Sequence, residues 1–521
     1  MPTAKGVLKA VFNQESGITL HKDGLNALAD FLAESADAER TAAQLLDAAQ
    51  RAQVSVLDPA AAAELVAILR GLKRQRADPI QVISAFQVPR VKFDSIRRAF
   101  YLAPDRAPLL GLAQDKLDLY MQRLYVLQQR LRRIPMFCGP VYNRMRTSER
   151  DFCELTELKA LLGSVGEVRY VLGCISQLQD GRFFLEDLSD ALPLDLSSAN
   201  TATGFYTENC VVVAEGELGH NGVFKVHALG FPPVEARAKS QAAAKGLDFF
   251  GGTPLRGAEA DAAADWEAEH TGARIVALAD LWLDRPDTLD ALSRVLAGFE
   301  EMDEPPSVML LMGNFQSAAC AADAAAVKEN FSALAATLSR FLRLLEHTRY
   351  VFVPGPGDPG PGDVLPRPPL PAALTGAVRA AVPNAVFATN PCRLRHYTQE
   401  IVVFRDDLEC RMRRMCLRPP AGGGAARGEM FEHLCATLLQ QSHLCPLPLE
   451  AQPVVWAHDA SLRLYPLPHA LVLADSAPST HCTFEGTVCL NPGSLAAGTF
   501  AAYVPGLREV ELCDIPGAED D

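Results

Sequence analysis

The sequence predicts a multi-domain α+β protein that contains an all-helical N-terminal domain, a small β-barrel and a layered α/β domain. The chain has 521 residues, which corresponds to about three to five domains of ordinary size. Hydrophobic residues make up 49% of the chain and charged residues 21%, as in soluble globular proteins. The apolar pattern changes from helical spacing to short β-rich runs near residue 152, and to strands alternating with helices after residue 252.

Charge and cysteine content exclude several classes of function. The net charge of −14 repels a phosphate backbone on average, so we expect any contact with DNA to be local. The thirteen cysteines include no Cys-x-x-Cys pair, which argues against a disulfide framework and a zinc ribbon and favours a reducing compartment. The longest apolar runs, such as Val308 to Met312, are far below the roughly 20 residues of a membrane span, and we expect none.

Residues 1–76 are predicted to form the helical domain. Leu25, Leu28, Phe31 and Leu32 share one stripe at helical spacing. Asp58 followed by Pro59 is a favourable N-cap and first-turn pair for the next alanine-rich helix. The alanine-rich faces fit bundle packing or a docking surface for a partner, and the sequence leaves both interpretations open.

Residues 77–150 are predicted to be a connecting region with one long helix, Asp115 to Arg133, which Pro135 ends. Apolar residues follow helical spacing along it, and the helix closes on Arg130, Arg132 and Arg133. These arginines could contact phosphate, but we favour a role in complementing the negative end of the helix dipole.

Residues 151–235 are predicted to form an OB-type β-barrel of five strands, because five β-rich runs fall within about eighty residues. The runs are Val168 to Ile175, Arg182 to Leu185, Leu192 to Leu196, Cys210 to Glu215 and Val223 to Leu229. Barrels of this type often bind single-stranded nucleic acid, which is one alternative function. Acidic residues such as Asp187 and Asp190 favour packing against protein instead.

Residues 236–521 are predicted to form the layered α/β domain. Ile275 to Leu278, Val308 to Met312 and Tyr350 to Val353 are continuous apolar runs, typical of strands buried on both faces. Helices are predicted between them, at Thr288 to Phe299 and at Ala324 to Leu345. Such domains bind ligands at the carboxyl ends of their strands, so we expect the candidate site residues there.

The segments that follow these strands resemble the motifs of the calcineurin-like metallophosphoesterases, which hold two metal ions that activate water. The segments are Asp280-Leu281-Trp282, Gly313-Asn314-Phe315-Gln316-Ser317, Gly355-Pro356-Gly357-Asp358, Gln441-Ser442-His443 and Ala474-Asp475. Asp280 matches the first carboxylate of the family, and His443 is the candidate for its lone histidine.

The remaining positions have lost the family's ligands. Trp282 stands in the place of a histidine and Asn314 in that of the bridging aspartate, while Pro356 and Gly357 replace the asparagine ligand and the catalytic histidine. Trp, Pro and Gly side chains cannot coordinate a metal. The degenerate positions are Asp280, Trp282, Asn314, Ser317, Pro356, Gly357, Asp358, His443 and Asp475. We therefore expect no catalytic residue, metal or cofactor here, and expect Asp280 and His443 to be hydrogen-bonded structural residues.

An OB barrel beside an inactivated, calcineurin-like phosphoesterase domain is similar to the B-subunits of the eukaryotic replicative DNA polymerases, and the epsilon type fits best. The segments that carry this resemblance are Gly181 to Asp187, Gly230 to Pro233, Asp248 to Gly252, Val351 to Pro356, Leu365 to Leu370, Thr389 to Arg393 and Gln441 to Leu444. The resemblance implies a non-catalytic accessory subunit that acts in chromosomal DNA replication in the nucleus.

The same resemblance implies the partners. The chain would bind the C-terminal region of the catalytic subunit of DNA polymerase epsilon, together with the small histone-fold subunits of the holoenzyme. Its helical domain would contact the replicative helicase through the GINS complex, and DNA contact would be indirect. The sequence does not identify the interface residues. The alternative from another class is an active metal-dependent phosphoesterase with atypical ligands.

Overall fold

The computed structural model describes residues 4–12, 18–33, 38–51, 54, 56–69, 78–104, 107–137, 153–253, 255, 258–317, 323–418 and 427–515. The helices are α1 (Ala4–Val11), α2 (Lys22–Ala33), α3 (Ala38–Arg51), α4 (Pro59–Leu69), α5 (Ala113–Leu131), α6 (Arg237–Ala244), α7 (Ala258–Glu269), α8 (Pro286–Glu300), α9 (Ala324–Leu338), α10 (Leu342–His347), α11 (Ala372–Ala381), α12 (Leu408–Met415) and α13 (Arg427–Gln441). The strands are β1 (Thr19–Leu20), β2 (Val56–Leu57), β3 (Ile80–Ser84), β4 (Val91–Asp94), β5 (Ala99–Leu102), β6 (Val168–Gln179), β7 (Arg182–Glu186), β8 (Ala191–Asp195), β9 (Asn200–Thr201), β10 (Val211–Leu218), β11 (Phe224–Gly230), β12 (Ile275–Leu278), β13 (Val308–Met312), β14 (Arg349–Val353), β15 (Ala385–Phe387), β16 (Cys392–His396), β17 (Gln399–Arg405), β18 (Ala470–Ala474), β19 (Thr480–Phe484), β20 (Thr487–Asn491), β21 (Thr499–Val504) and β22 (Glu509–Asp514).

The chain divides into two compact units, and the first comprises residues 1–80 and 253–269. Helices α1 to α4 bury one apolar core that includes Leu8, Leu28, Leu45 and Leu65, and β1 pairs in parallel with β2. The Asp58 carboxylate accepts a hydrogen bond from the Ala61 N–H at 2.7 Å, as an N-cap residue does. Helices form in this part of the chain as predicted, but the pairing of β1 with β2 shows that it is not all-helical.

The second unit comprises residues 81–252 and 270–521 and contains a closed β-barrel. Strands β10, β6, β7, β8 and β11 follow one another around it, and β10 closes the ring by pairing with β11. Leu185, Val212, Val226 and Phe224 fill its interior. In the turn between β10 and β11, Gly222 has φ +73°, a conformation that glycine adopts without strain. The five strands that the sequence predicts here are all present.

Two six-stranded sheets form the α/β part of the same unit. The first has the order β15-β14-β13-β12-β21-β22, and the second has the order β19-β20-β18-β17-β16-β3. Strands β12 to β15 run parallel, as do β17, β18 and β20. The predicted mixed α/β class is confirmed, and the strands β12 and β13 have the bounds that the apolar runs predict.

Two details differ from the prediction, and the predicted domain limits are a separate matter. The helix expected from Ala324 to Leu345 is divided into α9 and α10, and the Ser339 hydroxyl at the break bonds the Ala335 carbonyl at 2.7 Å. The region expected to be a connection supplies β3, an edge strand of the second sheet. The predicted domain limits at residues 76, 150 and 235 stay predictions.

The arginine-rich end of α5 has a different role from the one we favoured. Arg130 is 1% exposed and donates hydrogen bonds to the Ser442 hydroxyl and to the Pro232 and Gln440 carbonyls at 2.5–2.7 Å. Arg133 pairs with the buried carboxylate of Glu235. The two side chains therefore bond the long helix to the barrel exit and to the end of α13.

No helix among the described residues combines the length and the apolar character that a membrane crossing requires.

Candidate functional site

The candidate site lies where strands of the two sheets end, and a buried arginine occupies its centre. Arg405 is the last residue of β17 and is 1% exposed. Its Nη2 donates to Asp280 Oδ1 at 2.8 Å, its Nε to the Gly313 carbonyl at 2.6 Å and its Nη1 to Asp407 Oδ1 at 2.8 Å. Nη1 also lies 3.3 Å from the Ala474 carbonyl. One guanidinium thus joins the carboxyl ends of β12, β13 and β18.

Asp280 is held in an unusual backbone conformation at this point. Its φ is +54°, and non-glycine residues adopt this left-handed region at a cost of about 1–3 kcal/mol. The conformation points the 5%-exposed side chain at Arg405, and its Oδ1 also lies 3.3 Å from the Asn314 N–H. The predicted role of Asp280 as a hydrogen-bonded residue agrees with these contacts.

The loops after β13 and β14 interlock through Asn314 and Asp358. The Gly357 N–H donates to Asn314 Oδ1 at 2.8 Å. The two carboxylate oxygens of Asp358 accept hydrogen bonds from the Phe315 N–H at 2.6 Å and the Gly355 N–H at 2.7 Å. A Cβ on Gly313 would lie 1.9 Å from Asp358 Oδ2, so only glycine permits this close approach.

Burial and charge set the protonation of these groups. Burial alone would lower the pKa of Arg405, but the adjacent carboxylates of Asp280 and Asp407 raise it above its ordinary value. Burial raises the pKa of Asp358 to about 6, although the two N–H donors oppose the shift. The centre of the site therefore carries a permanent positive charge that is neutralised by carboxylates of the same chain.

Asp475 joins the outer side of the same cluster. Its carboxylate is 3% exposed and accepts hydrogen bonds from the Glu409 N–H at 2.9 Å and the Ala477 N–H at 3.0 Å. Burial raises its pKa, and the nearby Asp407 adds to the shift. Both oxygens of this carboxylate are therefore engaged by backbone donors.

Three further positions that the sequence analysis predicts to be degenerate, Trp282, Ser317 and Pro356, are engaged in local contacts. The Trp282 ring is half-buried and lies beneath the Arg285 guanidinium. Ser317 donates from its N–H and its hydroxyl to the Asp284 carboxylate. The Pro356 carbonyl accepts a hydrogen bond from Arg367 at 3.1 Å. In these contacts, none of the three side chains is directed at Arg405.

His443 belongs to a different buried cluster. Its Nδ1 accepts a hydrogen bond from the Cys445 N–H at 3.0 Å, so its Nε2 carries the proton and donates to Asp459 Oδ1 at 3.1 Å. Arg123 of α5 donates to the same carboxylate at 2.6 Å. Burial, with the nearby Arg123, lowers the pKa of His443 to about 4 and keeps the ring neutral. His443 is thus hydrogen-bonded to Asp459 and Cys445 and is not brought together with Asp280, and its structural role stays a prediction.

The arrangement suits structural cohesion better than metal chemistry. A dinuclear site requires several oxygen or nitrogen ligands directed at a vacant centre. Here the carboxylates of Asp280 and Asp407 face the Arg405 guanidinium, and the Asp358 and Asp475 oxygens accept backbone N–H groups. The four carboxylates are therefore engaged by hydrogen-bond donors of the same chain.

Sequence reasoning missed Arg405 and its neighbour Asn390. Asn390 Nδ2 donates a hydrogen bond to the Arg405 carbonyl at 2.6 Å, and Asn390 Oδ1 accepts one from the Arg405 N–H at 3.1 Å. One signal was available, since Arg405 follows an apolar run of four residues, and a charged residue at the end of a buried strand requires a partner. The sequence could not identify that partner, because Asp280 lies 125 residues earlier.

Comparison with known proteins places the chain in a family. Residues 275–482 match the family model that describes the B-subunit of DNA polymerase alpha/epsilon. Residues 113–233 match the one described as DNA polymerase epsilon subunit 2-like, OB-fold domain, so the OB prediction for the barrel is confirmed. A solved structure titled as that of an archaeal phosphodiesterase aligns with 46% of this chain and 99% of its own, at 10% identity and a TM-score of 0.25, too low to support an argument about the fold.

Curated relatives extend the match over most of the chain. The B-subunit of DNA polymerase epsilon from Arabidopsis thaliana is 42% identical over 440 residues, which cover 84% of this chain and 83% of that protein. The human DNA polymerase epsilon subunit 2 is 38% identical over 446 residues, with the same coverage of both chains. These relatives are accessory chains in DNA replication and not the catalytic subunit. The chain therefore belongs to the family of DNA polymerase epsilon B-subunits.

Proposed function

We propose that this accessory subunit is a non-enzymatic scaffold that binds the C-terminal region of the catalytic subunit of DNA polymerase epsilon. The observation that carries the proposal is the position of Arg405, whose guanidinium faces the carboxylates of Asp280 and Asp407. In a calcineurin-like domain, that place would hold metal ions. A degenerate phosphoesterase centre filled in this way leaves the hydrolytic chemistry without its cations, which supports the non-enzymatic part of the proposal.

An exposed apolar stretch supports binding to a protein partner. Between β4 and the first turns of α5, large apolar side chains face solvent, and Ile96 is 92%, Leu110 90% and Leu112 72% exposed. Large apolar side chains concentrated in this way often mark protein interaction sites. We assign the described residues of the stretch 96–117, which are 96–104 and 107–117, to the interface with the catalytic subunit. The net charge of −14 favours a basic surface on that partner.

The other partners form the second part of the proposal. The helical unit would contact the replicative helicase through the GINS complex, and the holoenzyme would include the small histone-fold subunits. DNA contact would be indirect, and the protein would act in the nucleus. The helical part of the chain belongs to a compact unit of its own, which supports a distinct binding role for it.

Co-purification tests the main proposal. The tagged full-length chain is isolated from nuclear extract in moderate salt, and the proteins present at stoichiometric levels are identified. We expect the catalytic subunit of DNA polymerase epsilon, and we expect poor solubility of the chain without it. Recovery of a monodisperse chain alone would contradict the proposal.

The alternative function, a phosphoesterase with atypical ligands, is favoured by one observation: Asp280 and Asp407 face the same guanidinium, and Asp475 lies near Asp407. The co-purified complex is assayed on a generic phosphodiester with Mn²⁺. We expect no turnover above that of an Asp280→Ala complex. Turnover that this substitution abolishes, with stoichiometric metal bound, would establish the enzyme instead.

A further inference from the structure

Three cysteines from distant parts of the chain converge in the second sheet. Cys435 lies on α13, Cys482 on β19 and Cys489 on β20, and their three Sγ atoms all lie within 4.8 Å of one another. Cys482 and Cys489 are direct cross-strand neighbours. This trio lies outside the Arg405 cluster, and the family comparison assigns it no role.

The surroundings of the trio are apolar. Cys435 and Cys489 are 0% exposed and belong to the core that α13 buries against the sheet, while Cys482 is half-buried at its margin. Among the described residues, no histidine or carboxylate joins the group. The ligand set therefore consists of sulfur atoms alone. Because Cys482 is only half-buried, the trio is close to solvent on the side of this residue.

We propose that Cys435, Cys482 and Cys489 bind one thiophilic d¹⁰ metal ion, either zinc or copper(I). Thiolates select these soft ions over magnesium, calcium or manganese. Zinc–sulfur bonds are about 2.3 Å long, which places the sulfurs around one ion about 3.8–4.0 Å apart. Sulfurs within 4.8 Å of one another reach that spacing with side-chain shifts below about 1 Å.

Binding requires each cysteine to act as a thiolate. The ion therefore forms three metal–sulfur bonds, and the three thiol protons are released to solvent. The bound ion would tie α13 to the β19–β20 hairpin.

Metal analysis of the full-length protein tests the site. Wild-type, Cys482→Ser and Cys513→Ser chains are purified in reducing buffer, either alone or in complex with the catalytic subunit. In the complex, any metal bound by the catalytic subunit contributes equally to all three samples. Cys513 is the matched control because it is also half-buried and lies outside the trio. We expect the wild-type and Cys513→Ser samples to contain one equivalent of zinc or copper more than the Cys482→Ser sample.

A second measurement does not depend on the folding of a variant. The metal-stripped wild-type protein is titrated with Co²⁺, and the thiolate-to-cobalt charge-transfer band should saturate at one equivalent. The proposal is overturned by equal metal in all three samples, by no charge-transfer band, or by a Cys482–Cys489 disulfide in the purified protein. The metal analysis itself distinguishes zinc from copper.

Discussion

Replacing Arg405 by methionine is expected to destabilise the centre of the α/β region severely. The substitution keeps much of the side-chain volume but removes the cation between Asp280 and Asp407. Asp280 is buried, and removal of one partner from a buried ion pair costs about 3–5 kcal/mol, since the other charge stays uncompensated. Asp407 is more exposed and should add little to this cost.

Hydrogen exchange measured by mass spectrometry follows the effect locally, so it does not require two-state unfolding of a multi-domain chain. A loss of about 3–5 kcal/mol corresponds to about a hundred-fold or greater loss of amide protection in peptides that cover β12 and β17. Arg97→Met is the matched control, because Arg97 pairs with Asp94 at the surface and such pairs contribute about 0–1 kcal/mol.

Two further results would decide the cause of the effect. If the cost comes from the unpaired carboxylate, then adding Asp280→Asn to Arg405→Met should restore part of the protection. Mn²⁺ should also stabilise Arg405→Met more than wild type if the guanidinium stands in the place of a cation. The reasoning is refuted if Arg405→Met changes protection no more than Arg97→Met does.

Three other predictions concern separate features. Gly313→Ala should lower the free energy of unfolding by about 1–3 kcal/mol or more, because the new Cβ would clash with Asp358 Oδ2. Gly376→Ala in α11, where a Cβ meets no other atom, should be neutral or stabilising, and chemical denaturation of both variants measures the difference. Burial lowers the pKa of His443 from 6.5 to about 4, so as pH falls this residue takes up a proton in the unfolded chain before it does so in the folded chain. The contribution of His443 to the free energy of unfolding is therefore fully present above about pH 6.5, and it declines toward pH 4 by up to about 1.4 kcal/mol per pH unit. The variant His443→Gln should show a shallower decline, and an unchanged slope would contradict the assignment. The double variant Leu110→Glu/Leu112→Glu should reduce recovery of the catalytic subunit about ten-fold or more, whereas Leu188→Glu, at a residue 57% exposed on the barrel, should not; equal recovery from both would exclude the stretch 96–117 as the interface.

The sequence predicted what local spacing determines. The continuous apolar runs at β12 and β13 located both strands, because strands covered on both faces carry no polar residues. The barrel strands were found for a similar reason, since turn residues separate short β-rich runs. Periodicity does not report which distant groups meet, so it could not reveal that Arg405 would face Asp280 or that Arg130 would reach Ser442.

Residue type alone also misdirected the search for the site. His443 attracted attention because histidine is a common ligand, but its partner is Asp459 on the segment that follows α13. The residue facing Asp280 is instead an arginine, which no metal-ligand pattern includes. The three cysteines were missed in the same way, because their convergence depends on the packing of α13 on the β19–β20 hairpin and not on a short motif.

The guanidinium at the carboxylate centre also has an evolutionary consequence. If the centre is a degenerate phosphoesterase site, as proposed, a single Asn314→Asp substitution would place a carboxylate near the resident Arg405 cation and recruit no metal. Removal of Arg405 alone would leave Asp280 unpaired and weaken the fold. Under that proposal, each single step toward hydrolysis would be neutral or harmful, so hydrolytic activity would be difficult to acquire at this centre and the surface would be free to specialise for assembly.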